Sequence, residues 1–105
     1  MWYLAGPMTG IDQNNYPAFA AAARDLRSMD VQVVSPHELV DPALNLSWQA
    51  LLRCDLEVLT RDCTGIILLP GWSKSRGARL ELATALALDM PVLFYSPDGK
   101  LVDIA

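Results

Sequence analysis

Asp55 is the first candidate for chemistry, because it interrupts an apolar stripe of a predicted helix. It lies three residues after Leu52 and four before Leu59, and Trp48 extends the same spacing toward the N-terminus. Residues three and four apart share one face of a helix. A carboxylate buried on that face without a partner is costly, so we interpret Asp55 as functional. The alternative is a position at the rim, where it caps a loop or pairs with Arg53.

Glu81 is the second candidate carboxylate. It lies in the segment Ala78–Met90, in which the only other polar residues are Arg79, Thr84 and Asp89. A helix that is apolar around most of its circumference is buried on most sides. Glu81 lies within about two turns of the positive end of this helix, where a carboxylate is favoured. The alternative is a solvent-facing glutamate that adds helix stability.

Two loops and one strand residue complete the candidate site. The segment Ser73-Lys74-Ser75-Arg76-Gly77 offers hydroxyls, cations and free backbone N–H groups before a helix, a combination that favours anions. Simple capping by Ser75 is the alternative.

The loop Gly6-Pro7-Met8-Thr9-Gly10 resembles a phosphate-binding loop only loosely, since it is neither GxGxxG nor a Walker motif. Tyr3 lies in the strand that precedes this loop, and its hydroxyl could reach a bound group or a carboxylate. The alternative is that Tyr3 is an ordinary aromatic residue of the strand.

Short apolar runs alternate with helical stretches, which predicts right-handed crossovers. The expected fold class is α/β: a doubly wound, flavodoxin- or Rossmann-like parallel sheet of four to five strands with helices on both faces. Ligands of such sheets bind at the carboxyl ends of the strands, where we expect Gly6–Gly10, the stretch after Val34 and Pro70–Gly77. The predicted elements are strands at Trp2–Ala5, Val31–Val34, Gly65–Leu69 and Pro91–Tyr95, and helices at Tyr16–Met29, Trp48–Arg61 and Gly77–Leu88. Leu101–Ile104 is either a last short strand or a tail docked on a neighbour.

Composition narrows the function classes. The 105 residues predict a single domain, residues 1–105. A net charge of −4 without a basic run argues against a nucleic acid polymer as ligand, whereas a single nucleotide needs only a local site. The hydrophobic fraction of 52% is high for a small domain, so we expect a homodimer or higher homo-oligomer to cover part of the surface.

The cysteines and the N-terminus predict a cytoplasmic protein. Cys54, Cys63 and the single histidine, His37, show no metal-ligand or CxxC spacing, so we expect reduced structural thiols and no metal. The N-terminus lacks the features of a signal peptide. The longest strongly apolar run, Ile66–Leu69, is far too short to cross a membrane.

Three segments together resemble the nucleoside 2-deoxyribosyltransferase superfamily, which includes 5′-deoxynucleotide N-glycosidases, and most of all its small bacterial and phage members. Each is modest alone, but their order and spacing span nearly the whole chain. They are Tyr3-Leu4-Ala5-Gly6, Cys54-Asp55-Leu56-Glu57-Val58-Leu59, and Ser75-Arg76-Gly77-Ala78-Arg79-Leu80-Glu81-Leu82-Ala83 with Ala85-Leu86-Ala87.

The resemblance implies roles for four residues. Glu81 matches the nucleophile that attacks the anomeric carbon and forms a covalent glycosyl–enzyme. Asp55 matches the carboxylate that orients or protonates the departing base. Tyr3 matches the tyrosine that hydrogen-bonds the nucleophile, and Ser75 matches a serine that contacts a 5′-phosphate. These types suit the reaction, because a carboxylate stabilises and traps a sugar that becomes positive as its base leaves.

The resemblance is incomplete in the first loop. The glycosidase branch places Ser and Arg there, where this chain has Pro7 and Thr9. Phosphate recognition is then absent or shifted to Arg76 and Lys74. The substrate-binding set that we predict is Gly6, Pro7, Met8, Thr9, Ser75, Arg76 and Gly77.

The expected function is hydrolysis or transfer at the N-glycosidic bond of a deoxynucleoside or its 5′-monophosphate, without metal or organic cofactor. Hydrolysis is preferred, because no second base-binding feature is visible. The first alternative is a module that binds a nucleotide without turning it over. The second is an interaction protein that keeps only the scaffold. The enzyme requires Tyr3, Asp55 and Glu81 to open onto one cleft.

Overall fold

The computed structural model describes residues 1–103, and its main elements follow the predicted alternation. The end of the predicted last strand, Ile104, lies outside the described residues. Strands and helices are β1 Trp2–Ala5, α1 Tyr16–Ser28, β2 Val33–Val34, α2 Trp48–Asp62, β3 Gly65–Leu68, α3 Arg76–Ala87, β4 Val92–Tyr95 and β5 Leu101–Asp103.

The five strands form one mostly parallel sheet in the order β2-β1-β3-β4-β5. Strand β1 pairs in parallel with β2 and β3, and Tyr3 lies opposite Ile66 of β3. The prediction of an all-parallel sheet is wrong at β5, which runs antiparallel to β4. The connection 96–100 is a tight turn in which Gly99 has a φ of 80°. A parallel crossover would need a dozen or more residues.

Alternation along β1 divides the core between the two faces of the sheet. Tyr3 and Ala5 pack with Leu59 of α2 and with Ala78 and Ala85 of α3. Leu4 points the other way and packs with the buried side of α1, which consists of Phe19, Ala22, Ala23 and Leu26. Successive residues of a strand face opposite sides, so a four-residue strand contributes to both layers.

Met29 lies outside α1 and outside the core, whereas the sequence predicts a helix that runs to Met29. The helix ends at Ser28, and Met29 follows it with a φ of −98° and a ψ of 16°. Its side chain is 48% exposed. The apolar spacing continues one residue past the point at which the backbone leaves the helix.

Two serines define where α2 and α3 begin. Ser47 Oγ accepts a hydrogen bond from the Ala50 N–H at 3.1 Å, and Ser75 Oγ accepts one from the Ala78 N–H at 3.1 Å. Each serine satisfies a backbone donor that the first turn leaves free. Both helix starts lie at the carboxyl edge of the sheet. Over residues 1–103, none of the helices combines the length and apolarity that a membrane crossing requires.

Candidate active site

Tyr3 and Glu81 meet between β1 and α3. The Tyr3 hydroxyl donates a hydrogen bond to Glu81 Oε2 at 2.5 Å. Tyr3 is 0% exposed and Glu81 is 4% exposed. Glu81 lies on the same buried stripe of α3 as Ala78 and Ala85. The alternative of a solvent-facing glutamate is therefore wrong.

The second carboxylate oxygen of Glu81 faces a cleft. Among residues 1–103, every side-chain nitrogen or oxygen that is fully buried has a hydrogen-bond partner. Glu81 Oε1 receives no hydrogen bond, so it retains some contact with solvent. Glu81 lines a cleft at the carboxyl edge of the sheet, and its small exposure opens there.

Asp55 projects into the same cleft from α2. The predicted stripe of α2 lies partly in the cleft and partly in the core. Trp48, Leu52 and Asp55 line the cleft, whereas Leu59 is 0% exposed in the core. Asp55 is half-buried, and no ion pair joins it to Arg53, which is exposed. Within the described part of the chain, neither Asp55 nor Glu81 has a cation at ion-pair distance.

Burial without a cation raises the pKa of both carboxyl groups. Desolvation raises the pKa of Glu81 to about 8, the hydrogen bond from Tyr3 opposes this rise, and the charge of Asp55 adds to it. Desolvation raises the pKa of Asp55 to about 7, and the Tyr3 hydroxyl again opposes the rise. A phenol has a single proton to donate, and in the structure it goes to Glu81.

Tyr3 remains a hydrogen-bond donor at any physiological pH. Burial, followed by the charges of Glu81 and Asp55, raises its pKa well above the ordinary value. Ionisation of the phenol would place a third negative charge beside two carboxylates. Tyr3 therefore stays a neutral hydrogen-bond donor to Glu81.

The cleft has an inner and an outer compartment. The inner one, about 100 Å³, holds both carboxylates together with Gly6, Met8, Thr9, Ser75 and Gly77 of the predicted binding set. The outer one, about 390 Å³, adds the remaining two members, Pro7 and Arg76, and also Lys74. The compartments share Met8, Thr9, Trp48, Ser75 and Gly77, so they are continuous.

Gly6 permits the close approach at the base of the cleft. A Cβ at this position would lie 3.0 Å from Leu69 Cβ and 3.3 Å from Phe19. Both neighbours are buried and cannot move away cheaply. The first turn after β1 thus needs glycine for packing, whatever the ligand.

Ser75 has the capping role that was the alternative to ligand binding, and it also lines both compartments. Its oxygen accepts from Ala78, which leaves its hydroxyl proton free to donate into the cleft. Next to it, the guanidinium of Arg76 lies 4.4 Å from the centroid of the Trp48 ring.

Some cleft residues were not predicted. Trp48, which the sequence places on the same stripe as Asp55, forms a wall of both compartments. Asn14 and Tyr16 also line the inner compartment. Their one signal was position, since they end the loop that follows β1 at the carboxyl edge. His37 Nδ1 lies 2.5 Å from Ser35 Oγ, and its ring contacts Tyr16.

The cysteines and acidic residues form no metal centre in residues 1–103. Cys54 and Cys63 are free thiols, half-buried and buried respectively. No group of three or more His, Cys, Asp or Glu side chains in this part of the chain is placed to hold a metal ion. The two cleft carboxylates stand as a pair.

The chain belongs to the family described as domain of unknown function DUF4406, whose model matches residues 1–94. The match includes all the residues of the predicted site. No curated protein sequence matches the chain.

Proposed function

We propose that the protein cleaves the N-glycosidic bond of a deoxynucleoside or its 5′-monophosphate, by hydrolysis or by transfer of the sugar to another base. Glu81 is the proposed nucleophile, Asp55 the proposed acid and Tyr3 the residue that orients Glu81. The proposal includes membership of the nucleoside 2-deoxyribosyltransferase superfamily, based on the three resembling segments.

One observation carries the proposal: a buried glutamate has one oxygen fixed by a tyrosine and the other directed into a cleft. Structural glutamates at 4% exposure are normally paired with a cation, and Glu81 has none among the described residues. Asp55 reaches the same cleft from another helix. Two carboxylates with raised pKa values in one cleft are typical of acid–nucleophile pairs.

The proposed first step breaks the bond between C1′ and the base. Glu81 Oε1 attacks C1′, and the electron pair of the C1′–N bond leaves with the base. Asp55 donates its proton to that base, so the base departs neutral. The products are a glycosyl ester on Glu81, free base and ionised Asp55.

The second step regenerates the enzyme. Asp55 takes a proton from water as the water oxygen attacks C1′, and Glu81 leaves as a carboxylate. In transfer, a second base takes the place of water. Two displacements at the same carbon retain the anomeric configuration.

The position of the cleft supports a doubly wound arrangement as part of the proposal. Strand β1 lies between β2 and β3, so the chain passes from one side of β1 to the other. Helix α1 covers one face, and α2 and α3 cover the other. Ligands of doubly wound sheets bind where the strand order reverses, and residues that follow β1, β2 and β3 line the cleft.

The test is a panel of deoxynucleosides and their 5′-monophosphates, with free base measured by chromatography. We expect the wild-type chain to release base from at least one member and Glu81→Gln to release none above background. Glu57→Gln is the matched control, because Glu57 is exposed on α2 and its ion pair with Arg61 is at the surface. Base release that survives in Glu81→Gln would refute the role of Glu81.

A second candidate function is nucleotide binding without turnover. The observation that favours it is the pKa of Glu81, about 8, which leaves the carboxyl group mostly protonated at neutral pH before a ligand binds. A protonated carboxyl group binds ligands but does not attack them. A pure binder would show no base release with the panel and would bind the same compounds.

We also propose that the protein is a homo-oligomer formed through the exposed side of α3. This helix was expected to be buried on most sides, yet Leu80 is 41% exposed and Leu86 is 57% exposed. Leu86 also lines a groove of about 520 Å³ with Leu82, Met90, Pro91, Val92, Leu93 and Asp103. A second copy that presents the same groove would cover Leu86.

A further inference from the structure

The outer compartment has a positive charge without a counter-charge. Lys74 and Arg76 line it, and none of its lining residues is acidic. Neither cation forms an ion pair in the part of the chain that the structure describes. The chain as a whole carries a net charge of −4, so this local excess departs from the average surface.

Arg76 is held by Trp48 in a way that leaves its donors free. The guanidinium lies over the indole ring, 4.4 Å from its centroid. Such a contact is an attraction between the positive charge and the ring and uses no hydrogen-bond acceptor, and Arg76 forms no ion pair among residues 1–103. A long exposed side chain is thus restricted in its motion while its N–H donors remain available to an anion.

Trp48 connects the two compartments. It lines both, and its ring edge would lie 4.0 Å from a Cβ at Gly77 in the first turn of α3. The inner compartment is lined by Glu81, whose Oε1 accepts no hydrogen bond from residues 1–103 and keeps some contact with solvent. A ligand that extends from Glu81 into the outer compartment therefore lies along Trp48.

We infer that Trp48 is a positioning residue, which fixes Arg76 as the main anchor for an anionic group of the substrate. The inference rests on the proposed function and narrows it: the substrate is a phosphorylated deoxynucleoside, with its sugar in the inner compartment and its phosphate in the outer one. Preference for the phosphorylated substrate depends on the Trp48–Arg76 contact, and Lys74 contributes charge alone.

The test compares one deoxynucleoside with its 5′-monophosphate in steady-state kinetics. Wild type should have a lower KM for the monophosphate. Arg76→Gln should raise that KM about tenfold, the usual effect of losing one charge-assisted contact. Trp48→Ala should raise it several-fold, and Trp48→Phe should recover most of the loss, because a ring remains for the guanidinium. Arg53→Gln, the same charge change on the exposed side of α2, should change neither KM.

The two substrates separate positioning from structural damage. A variant that merely loosens the fold raises KM or lowers kcat for both substrates. Loss of the anchor lowers the ratio of the KM for the deoxynucleoside to the KM for the monophosphate. Equal KM values for the two substrates in wild type would overturn the inference and leave the proposed function intact. A ratio that persists in Arg76→Gln or Trp48→Ala would overturn it as well.

If wild type turns over neither compound, the proposed function fails, and calorimetric titration of the monophosphate decides the anchor separately. Binding that is about tenfold weaker in Arg76→Gln than in wild type and Arg53→Gln supports the anchor. Equal binding by all three proteins, or binding by none, overturns it.

Discussion

The Tyr3 hydroxyl lies 2.5 Å from Glu81 Oε2, and this contact joins the first strand to the third helix across 78 residues of sequence. Both side chains are buried. The contact gives Glu81 one oriented oxygen and leaves the other for the cleft. The chemistry that we propose depends on this division of the two oxygens.

Tyr3→Phe should lower kcat/KM about tenfold to a hundredfold, the usual effect of losing a hydrogen bond to a charged group. The bond lowers the pKa of Glu81, so its loss raises that pKa further. The acidic limb of the pH–rate profile should move to higher pH. Phenylalanine keeps the ring in the core, and a melting temperature within a few degrees of wild type is the control. An unchanged acidic limb would show that Tyr3 does not act on Glu81.

The pH–rate profile of wild type should be bell-shaped. The reaction needs an ionised Glu81 and a protonated Asp55, that is, one proton on the pair. The pKa values of about 8 for Glu81 and about 7 for Asp55 place the singly protonated pair near neutral to slightly alkaline pH. The proton of this pair lies mostly on Glu81, so the reactive form, with the proton on Asp55, is its minor tautomer. Because the two groups interact, the two limbs report the pair and not single residues.

Asp55→Asn separates the contributions to the two limbs. The variant has no proton to lose at this position, so the alkaline limb should disappear and the maximal rate should fall. The charge of Asp55 raises the pKa of Glu81, so the acidic limb should move to lower pH. A profile that keeps both limbs in place would exclude Asp55 as the acid.

Glu81→Gln should stabilise the protein at alkaline pH. Glu81 has a pKa of about 8 in the folded chain, against an ordinary value of 4.5. The folded state therefore binds the proton more tightly than the unfolded state, and stability falls as pH rises through this interval. Glutamine keeps an acceptor for Tyr3 and removes the charge.

The measurement is the free energy of unfolding by denaturant at several pH values. Above about pH 8 the variant should exceed wild type by on the order of 5 kcal/mol, and below about pH 4.5 the difference should disappear. A constant difference across the range would show that the pKa of Glu81 is not raised by folding.

Leu86→Glu should shift the protein to a smaller assembly. Leu86 is 57% exposed beside the apolar groove on α3 and β4, and a carboxylate there would be buried in the proposed interface. Light scattering coupled to size exclusion measures the mass. Leu44→Glu is the control, at a residue that is 63% exposed and lies outside the groove. A monomeric wild type would disprove the proposed interface.

The sequence predicted which residues form the site better than it predicted how those residues contact one another. Parallel strands bring their carboxyl ends to one edge, so the loops that contain Gly6 and Ser75 had to meet. The stripe through Asp55 and the polar interruption at Glu81 were visible as departures from an apolar pattern. Local periodicity was sufficient for these features.

Contacts between distant elements were beyond local periodicity. The stack of Arg76 on Trp48 depends on how the first turns of α2 and α3 are brought together by the core. The direction of β5 depended on a five-residue turn that fits a hairpin, and the strand run itself carries no sign of direction. The end of α1 before Met29 was missed because the apolar spacing continues past it.

The most direct test of the central claim is the mass of the intact protein after rapid acid quenching with a substrate that the panel identifies. We predict a fraction that is heavier by one deoxyribosyl or phosphodeoxyribosyl unit, with the label on the peptide that contains Glu81. Glu81→Gln should show no such species. Base release by wild type without any adduct at Glu81, or an adduct at another residue, would contradict the account.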